Sequence, residues 1–407
     1  MVIGIFTDTF YPEINGVATS VVLLKRELEK IGHTVHVFTS SNPAIKKGVD
    51  IENTNRLPSA PFIFLPNRRM AAVYKKSVAH KINSLNLDII HTNTEFSLGM
   101  FGKLMAAVLN KPVIHTYHTL YEDYVHYITR GKFVNFSTEV ARRFSKKFCN
   151  SCDSIVVPTE KTRDLLLNYH VERPISIIPT GIDLAQFQLN EADIKAVRAL
   201  KAKYHIRNND KVILYVGRLA KEKNLDAVVQ QLPKYFKKNP NTKFLMVGDG
   251  PWKREIEILA KAGGILKNFI FTGEQPWSEI AKFYAMGDIF VSASLSETQG
   301  LTFIEAMASG LPVLAKRDRS IEKLILDGQT GCVFDDDNEI PQKLERILSD
   351  YSFRNRLSAN ARAVAADNSV DKFALNIEKA YEETIEKWVE SGKRHKLNKK
   401  VIQRIIM

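Results

Sequence analysis

Short apolar runs typical of β-strands alternate with amphipathic helical patterns along this 407-residue chain, and this alternation constrains the fold more than any other feature. The strand-like runs cover residues 2–6, 34–39, 89–91, 113–117 and 154–157 in the first half, and 212–216, 244–247, 269–272, 289–292 and 313–315 in the second. Strands separated by helices form parallel sheets with helices on both faces. The sequence therefore predicts an α/β fold.

A break near residue 180 divides the alternation into two series. Pro179 and Gly181 form a predicted turn, the segment 190–210 is polar, and a new first strand begins at Val212. A chain of this length can build two separate cores. We therefore predict two Rossmann-like domains whose parallel sheets face each other across a cleft. Their predicted bounds are 1–180 and 181–371, followed by a helix at 372–390 that packs back on the first domain and a basic amphipathic tail at 391–407.

The composition argues against a membrane-spanning or disulfide-stabilised protein. Hydrophobic residues make up 44% of the chain and charged residues 25%, as in soluble globular domains. No run approaches the roughly 18 apolar residues of a membrane span, and the N-terminus lacks the features of a signal peptide. Cys149, Cys152 and Cys332 are too few for a disulfide framework, so we expect buried thiols in an intracellular protein.

The loops after the strands hold the candidate functional residues, because ligands of such sheets bind beyond the carboxyl ends of the strands. After the first strand only Gly16 is present, where a dinucleotide fingerprint would need G-x-G-x-x-G, which argues against an NAD- or FAD-dependent enzyme. Gly16 precedes a helix, so it either lets a backbone N–H approach a phosphate or is a plain turn glycine. His118 follows the fourth strand and either faces the cleft or is an ordinary surface or core histidine.

A cluster of cations follows the first strand of the second half. Arg218, Lys221 and Lys223 lie within six positions of one another. Arginine offers a planar fork to phosphate oxygens and lysine a compact point charge. The cluster therefore predicts a phosphate site, with solvated surface charge as the alternative.

Two glutamates, Glu297 and Glu305, flank Gly300 after the strand at 289–292. Treated as one helix, their eight-residue separation corresponds to about 12 Å along the axis. The carboxylates of a glycosidase pair lie roughly 5–9.5 Å apart, which disfavours a simple hydrolase. The spacing suits two contacts on an extended ligand, with a phosphate held between them by the N–H groups of Leu301 and Thr302.

Taken in order, these loops resemble one family. Gly16 before the first helix, His118 after the fourth strand, Val216-Gly-Arg218-Leu with Lys223, and Glu297-x7-Glu305 are similar to the retaining GT-B glycosyltransferases, over a span from Gly4 to about Trp388. The segments 91–99 and 118–127, with Thr298-Gln299 between the glutamates, resemble the bacterial 1,2-diacylglycerol 3-α-glucosyltransferases. The resemblance implies UDP-glucose as donor and diacylglycerol as acceptor.

The resemblance also implies a role for each matching residue on the donor side. Glu305 would bind the ribose hydroxyls and Glu297 the transferred sugar. Arg218 and Lys223 would hold the diphosphate, helped by the turn at 300–302, and would stabilise the charge that grows on the leaving group.

The resemblance also implies roles for two further residues and the absence of a metal. Gly16 would pack against the donor, and His118 would face the sugar near the acceptor. The family uses a front-face, substrate-assisted mechanism and needs no metal. The run 335–337, three aspartates in a row, is therefore predicted to be a polar turn.

The charge distribution gives an independent test of a membrane acceptor. Of a formal net charge of +13, residues 1–185 carry 22 Lys and Arg against 16 Asp and Glu, residues 186–392 carry 30 against 29, and the last 15 carry six bases and no acid. The excess therefore lies in the first domain and the tail, where we expect a polyanionic partner.

Apolar residues at helical spacing accompany the basic residues of the first domain. The stripe comprises Phe133, Phe136, Val140, Phe144 and Phe148. The flanking bases are Arg142, Arg143, Lys146 and Lys147, and a second acid-free basic stretch includes Arg68, Arg69, Lys75 and Lys76. This pattern is typical of a helix that lies in a membrane interface. We therefore predict peripheral binding to anionic lipids, which would also act as activators, at the cytoplasmic face of the cell membrane.

Several alternatives stay open from the sequence. The helix at 133–148 could be a core helix with a solvated basic face. The acceptor could be phosphatidylinositol or a soluble sugar, or the protein could bind sugar nucleotides or lipids without catalysis. Nucleic acid would also attract such charge, but the basic stretches lack a recognised nucleic-acid module, so we expect no nucleic-acid partner.

Overall fold

The computed structural model describes residues 1–45, 50–62, 65–71, 76–119 and 134–392. The chain divides into two compact units, of which unit 1 comprises Met1–Gly181 with Val370–Met407 and unit 2 comprises Ile182–Ser369. Each unit contains its own parallel sheet. The predicted α/β class, with two Rossmann-like domains built on parallel sheets, is confirmed.

Unit 1 is built on a seven-stranded parallel sheet with an additional two-stranded antiparallel sheet. Its strands are β1 (Val2–Phe6), β2 (Thr34–Ser40), β3 (Thr54–Leu57), β4 (Ser59–Phe62), β5 (Leu65–Ala71), β6 (Ile89–Thr92), β7 (Val113–Thr116), β8 (Ser154–Val157) and β9 (Ile175–Ile177). The strand order in the large sheet is β3-β2-β1-β6-β7-β8-β9, and β4 pairs with β5. The helices from the first part of the chain are α1 (Gly16–Lys30), α2 (Lys76–Ser84), α3 (Ser97–Leu109), α4 (Val134–Asn150) and α5 (Glu160–Asn168).

Unit 2 is built on a six-stranded parallel sheet. Its strands are β10 (Lys211–Val216), β11 (Thr242–Val247), β12 (Phe269–Phe271), β13 (Ile289–Ser292), β14 (Val313–Lys316) and β15 (Cys332–Phe334), in the order β12-β11-β10-β13-β14-β15. Its helices are α6 (Glu191–Lys203), α7 (Leu225–Lys238), α8 (Lys253–Ala262), α9 (Ile280–Tyr284), α10 (Leu301–Ala308), α11 (Ile340–Ser349) and α12 (Tyr351–Ala366). Helices cover both faces, so central strands such as β13 are buried along their whole length.

The last helix, α13 (Val370–Glu390), belongs to unit 1. It packs against α1 and β7. Polar contacts fix it there: the Tyr381 hydroxyl lies 2.8 Å from His91 Nδ1, and Thr384 Oγ1 donates to Ser154 Oγ at 2.9 Å. Unit 1 therefore combines a sheet that precedes unit 2 in the sequence with a helix that follows unit 2.

The strand order decides where ligands can bind. In each large sheet the order of strands reverses beside the first strand, between β1 and β6 in unit 1 and between β10 and β13 in unit 2. Loops that leave neighbouring strands in opposite directions open a crevice at that point. The loops after β1 and β6, and those after β10 and β13, are therefore the candidate binding loops.

Candidate active site

The loop after β10 is packed backbone to backbone on the loop after β11. The Leu219 N–H donates to the Asp249 carbonyl oxygen at 2.9 Å. Gly248 has φ +133°, and a Cβ added there would lie 2.0 Å from the carbonyl oxygen of Gly217. A side chain at 248 would separate the two loops, so glycine is required for this close approach.

The structure brings three predicted site residues together in unit 2, namely Arg218, Lys223 and Glu297. Lys223 Nζ lies 2.6 Å from Glu297 Oε1, with both side chains 17% exposed, and Arg218 pairs with Glu222. The hydroxyl of buried Tyr215 donates to the Arg218 carbonyl oxygen at 3.1 Å and interacts electrostatically with all four charged groups. Burial raises the pKa of Tyr215, so it stays a neutral donor beneath this cluster.

The ion pair between Lys223 and Glu297 connects the two loops that flank the reversal in unit 2. A second connection is made by Ser296, whose Oγ donates to the Glu222 carbonyl oxygen at 3.3 Å. Both cations therefore lie beside carboxylates here, and an anionic ligand would have to compete with those carboxylates for them.

Helix α10 begins immediately after Gly300, which has φ +80° and ψ 59°. A Cβ at this position would lie 2.5 Å from Cδ2 of Phe303, so both the conformation and the contact require glycine. Among the described residues no side chain caps the first turn of α10. The N–H groups of Leu301 and Thr302 in that first turn are therefore suited to an anion.

The treatment of Glu297 and Glu305 as positions on one helix is wrong. Only Glu305 lies in α10, while Glu297 precedes the left-handed turn at Gly300 and belongs to the loop after β13. The reason is local, because a left-handed residue at the N-cap interrupts the helical hydrogen-bond ladder. The 12 Å estimate, which assumed helical rise, therefore does not apply to these two carboxylates.

Glu305 is 8% exposed and accepts a hydrogen bond from a tyrosine hydroxyl. The hydroxyl of Tyr284, at the end of α9, donates to Glu305 Oε2 at 2.7 Å. Burial raises the pKa of Glu305 to about 7, and the hydrogen bond from Tyr284 opposes that rise. Glu305 therefore changes its protonation state near neutral pH.

In unit 1 the loops after β1 and β6 are fixed by capping hydrogen bonds. Asn15 caps α1, its Oδ1 accepting from the Ala18 N–H at 3.0 Å, so Gly16 is the exposed first residue of that helix. Asp8 accepts from Thr94 Oγ1 at 2.6 Å and from the Leu98 N–H at 3.0 Å, which joins the two loops to the start of α3. The start of α1 at Gly16 is thus fixed by the Asn15 cap, and the loop after β1 is joined by Asp8 to the loop after β6.

His118 lies after β7, above a buried polar network that sequence reasoning missed. Its Nε2 forms a hydrogen bond with Asn93 Oδ1 at 2.9 Å. Burial and the nearby His115 lower the pKa of His118 to about 3, so its imidazole is neutral at physiological pH. Beneath it the buried His115 Nε2 lies 3.2 Å from Glu95 Oε1. The available signal was the polar second half of two four-residue strands, Ile-Ile-His-Thr in β6 and Val-Ile-His-Thr in β7.

The stripe of apolar residues on α4 passes from the core to the surface. Phe148 is fully buried, whereas Phe144 is 39% exposed and stacks with Phe96 of the neighbouring loop, which is 49% exposed, at a centroid distance of 6.2 Å. Val140 and Met100 are also exposed. Phe96 lies just before α3 and Met100 lies within it. The apolar periodicity of α4 alone therefore could not predict that these two residues are also exposed.

The basic residues of α4 differ in their surroundings. Arg143 and Lys147 are exposed, and Lys146 is half-buried. Arg143 pairs with Glu139 at 2.7 Å on the surface. Arg142 donates to the Asn168 carbonyl oxygen at 2.6 Å and lies over the Tyr169 ring, so part of its role is to join α4 to α5.

The second basic stretch is described only in part. Arg69 donates to the Ser59 carbonyl oxygen at 2.6 Å, which ties it to β4. Lys75, Phe133 and the tail from residue 393 lie outside the described residues, as do the side chains of Arg68, Lys76 and Phe136.

The acidic run at 335–337 forms the predicted polar turn. Asp336 caps a 3₁₀ turn at Asp337–Glu339, Asp335 pairs with Arg317 at 2.8 Å, and Asp337 pairs with Lys316 at 2.9 Å. Within the described ranges no group of three or more His, Cys, Asp or Glu side chains is arranged to hold a metal ion. In the same part of the chain, no helix has the length and apolar character needed to cross a bilayer.

Family models match both halves of the chain. The model for glycosyl transferases group 1 matches residues 197–364, and that for glycosyltransferase family 4 matches residues 14–186. The chain belongs to the GT-B glycosyltransferases, as the order of its loop motifs predicted.

Two relatives match most of this chain and share one enzyme name. The chain is 37% identical to the α-monoglucosyldiacylglycerol synthase of Streptococcus pneumoniae, covering 90% of this chain and 83% of the relative. It is 32% identical to the α-monoglucosyldiacylglycerol synthase of Acholeplasma laidlawii, covering 98% and 100%. The predicted resemblance to the diacylglycerol glucosyltransferases is thereby confirmed.

A solved structure supports the fold. The complex of Anabaena Alr3699/HepE with UDP-glucose superposes with a TM-score of 0.73 at 16% identity, covering 94% of this chain and 99% of that one. The shared architecture is the two-domain GT-B fold.

Proposed function

We propose that this protein is a retaining glucosyltransferase of the membrane surface, which transfers glucose from UDP-glucose to 1,2-diacylglycerol and forms α-monoglucosyldiacylglycerol. One observation carries the proposal: the pair Lys223–Glu297 joins the loop after β10 to the loop that leads into α10, whose uncapped first turn is followed by Glu305. Cations, free N–H groups and a buried carboxylate are the groups that a nucleotide diphosphate sugar requires. The names of the two synthases support the lipid product, and the complex of the Anabaena protein supports the donor.

On the donor side, each group receives one part of the nucleotide sugar. Glu305 binds the ribose hydroxyls, and the turn at 300–302 with Arg218 and Lys223 binds the diphosphate. Glu297, released from Lys223 by the phosphate, accepts hydrogen bonds from hydroxyls of the transferred glucose. No metal is required, because these cations neutralise the leaving group.

The transfer breaks the bond between glucose C1 and the diphosphate oxygen, and the electron pair leaves with UDP. The acceptor hydroxyl attacks C1 from the same face, and its proton passes to the departing diphosphate oxygen. This route retains the configuration at C1. The cations accelerate it because they stabilise charge that is larger in the transition state than in the bound donor.

On unit 1, His118 and Gly16 are assigned to substrate contact. The neutral imidazole of His118 can exchange hydrogen bonds with a sugar hydroxyl without adding charge. Gly16 starts α1 with no side chain, so its backbone can approach the donor closely.

Diacylglycerol stays in the membrane, so the enzyme must bind the surface of the bilayer. The exposed pair Phe96 and Phe144, with Arg143 and Lys147 nearby in sequence, provides apolar and basic groups on one unit. Each basic residue near an anionic leaflet contributes about 1 kcal/mol, so a few residues suffice for reversible binding. We assign this surface to anionic lipids at the cytoplasmic face, which would also activate the enzyme.

The deciding experiment is mass spectrometry of the products made from a panel of nucleotide sugars on vesicles. The vesicles contain diacylglycerol, phosphatidylinositol or neither, and a soluble sugar is offered in a separate reaction. A monohexosyl diacylglycerol made from UDP-glucose supports the proposal. A product on phosphatidylinositol or on the soluble sugar alone would replace the acceptor, and binding without turnover would indicate a non-catalytic protein.

A further inference from the structure

Tyr284 makes the contact that defines the direction of the Glu305 carboxylate. Its hydroxyl lies 2.7 Å from Glu305 Oε2 and 3.2 Å from the carbonyl oxygen of Thr302. The hydroxyl has one proton, so the shorter contact to the carboxylate takes it and the carbonyl is the weaker acceptor. Tyr284 thus touches both the carboxylate and the first turn of α10.

The ring of Tyr284 cannot move away from this position. It is completely buried, packs edge-on against Phe187 at 5.9 Å between centroids, and lies tilted against Phe290 at 6.1 Å. Burial and the neighbouring Glu305 raise the pKa of Tyr284 well above its ordinary value, so the phenol keeps its proton and acts only as a donor toward the carboxylate.

The two oxygens of Glu305 therefore differ. Oε2 is bonded to the phenol, whereas the structure gives Oε1 no hydrogen-bond partner among the described residues. A carboxylate fixed at one oxygen keeps the other in a constant direction. The free oxygen can accept from the hydroxyl groups of a ligand without the loss of side-chain entropy that ordering a mobile glutamate would require.

We propose that Tyr284 is a positioning residue for donor binding, whose hydroxyl holds one oxygen of Glu305 so that the other is presented to the ribose diol of a nucleotide sugar. The inference rests on the proposed ribose contact of Glu305. It adds a residue that lies outside the loop motifs and that reaches the ligand only through Glu305.

The test compares binding of UDP and 2′,3′-dideoxy-UDP to the full chain by calorimetry. Wild-type protein should prefer UDP, Glu305→Ala should lose that preference, and Tyr284→Phe should reduce it about tenfold, as expected for one hydrogen bond to a charged group. Tyr235→Phe is the matched control, because Tyr235 is also buried in unit 2 and bonds Thr242 rather than Glu305. Its preference for UDP should equal that of the wild type.

A pH series separates positioning from a merely structural role. The tyrosine hydroxyl lowers the pKa of Glu305 from the value that burial alone would give, so its removal should move the midpoint of UDP binding to higher pH, with binding recovering in alkaline buffer. Among the described residues, Tyr284 is the one titratable group that affects the pKa of this carboxyl, and the other cause is burial. If Tyr284→Phe does not fold, site-specific 3-fluorotyrosine at 284 provides the reverse test, since a more acidic phenol donates more strongly and should move the midpoint to lower pH.

The outcomes distinguish two failures. If Glu305→Ala loses the preference for UDP while Tyr284→Phe keeps both the preference and the pH midpoint, the positioning role is refuted and the ribose contact stands. If Glu305→Ala keeps the preference, the ribose contact itself is refuted, and the role of Tyr284 with it.

Discussion

The ion pair between Lys223 and Glu297 predicts opposite effects of two neutralising substitutions on nucleotide affinity. In the structure the two charges lie 2.6 Å apart at 17% exposure. If Lys223 moves to the diphosphate on binding, UDP must compete with Glu297. Glu297→Gln should then tighten UDP binding, whereas Lys223→Met should weaken it.

The size of each effect follows from the geometry. At 2.6 Å and an effective dielectric constant of about 20, the Coulomb attraction is about 6 kcal/mol before the cost of desolvating both ions. Measured net values for such partly exposed pairs are closer to about 1 kcal/mol, so Glu297→Gln should tighten UDP binding about fivefold. Lys223→Met removes a charge-assisted phosphate contact and leaves Glu297 unpaired beside the diphosphate, so affinity should fall tenfold or more, by about 1.5–3 kcal/mol.

Calorimetric titration with UDP measures both effects, and turnover of UDP-glucose should fall in both variants. Lys343→Met is the control, since Lys343 pairs with Glu339 at 2.9 Å in unit 2, at a somewhat greater exposure of 26% and 35%, and is assigned no ligand. The double variant should bind UDP more tightly than Lys223→Met alone. Equal weakening by Glu297→Gln and Lys223→Met would refute the exchange of partners and indicate that the pair is structural.

Four further outcomes are expected. Because burial raises the pKa of Glu305 to about 7, UDP affinity should fall as pH drops below about 7, and in a titration between pH 6 and 8.5 Glu305→Gln should leave only the dependence that the terminal phosphate of UDP contributes. The same raised pKa favours the protonated form in the folded state. Unliganded stability should therefore decline between about pH 4.5 and 7, and calorimetric melting of the Glu305→Gln variant should not show this decline. Phe144→Asp should reduce co-sedimentation with anionic vesicles and leave UDP affinity unchanged. Leu167→Asp, at an exposed apolar position of α5, should leave co-sedimentation unchanged. Equal binding of the wild type to neutral and anionic vesicles would contradict the electrostatic part of the prediction. Gly300→Ala should cost roughly 1–2 kcal/mol for the left-handed conformation alone, with further loss from the contact with Phe303, seen as a lower melting temperature and weaker UDP binding.

The parts of the fold that sequence could predict are those with a strong local pattern. The buried strands β1, β8 and β13 were predicted with the bounds that the structure has, because continuous apolar runs between turn residues mark strands of parallel sheets. The antiparallel pair β4–β5 was missed, and so were strands β3, β9 and β15 of the two large sheets. The last three are three or four residues long, and Thr54–Leu57 and Ile175–Ile177 are only partly buried, so composition gave little signal.

The candidate site divides in the same way. The loops that hold Arg218, Lys223 and Glu297 follow strands and could be located by their order. The contact between Tyr284 and Glu305 joins residues 21 positions apart on different helices, and no sequence period relates them. The polar network behind His118 likewise depends on which strands are neighbours, a property of the sheet rather than of any one segment.

The order of the chain also differs from the order in which its units can be completed. Unit 2 consists of a single stretch, Ile182–Ser369, whereas unit 1 needs α13, which the ribosome makes after unit 2. Until Tyr381 arrives, the ring nitrogen of His91 that it contacts has no such partner in a sheet that is otherwise already synthesised. During translation the second unit can therefore become native before the first, and any truncation that removes α13 should damage the unit whose strands precede unit 2 in the sequence.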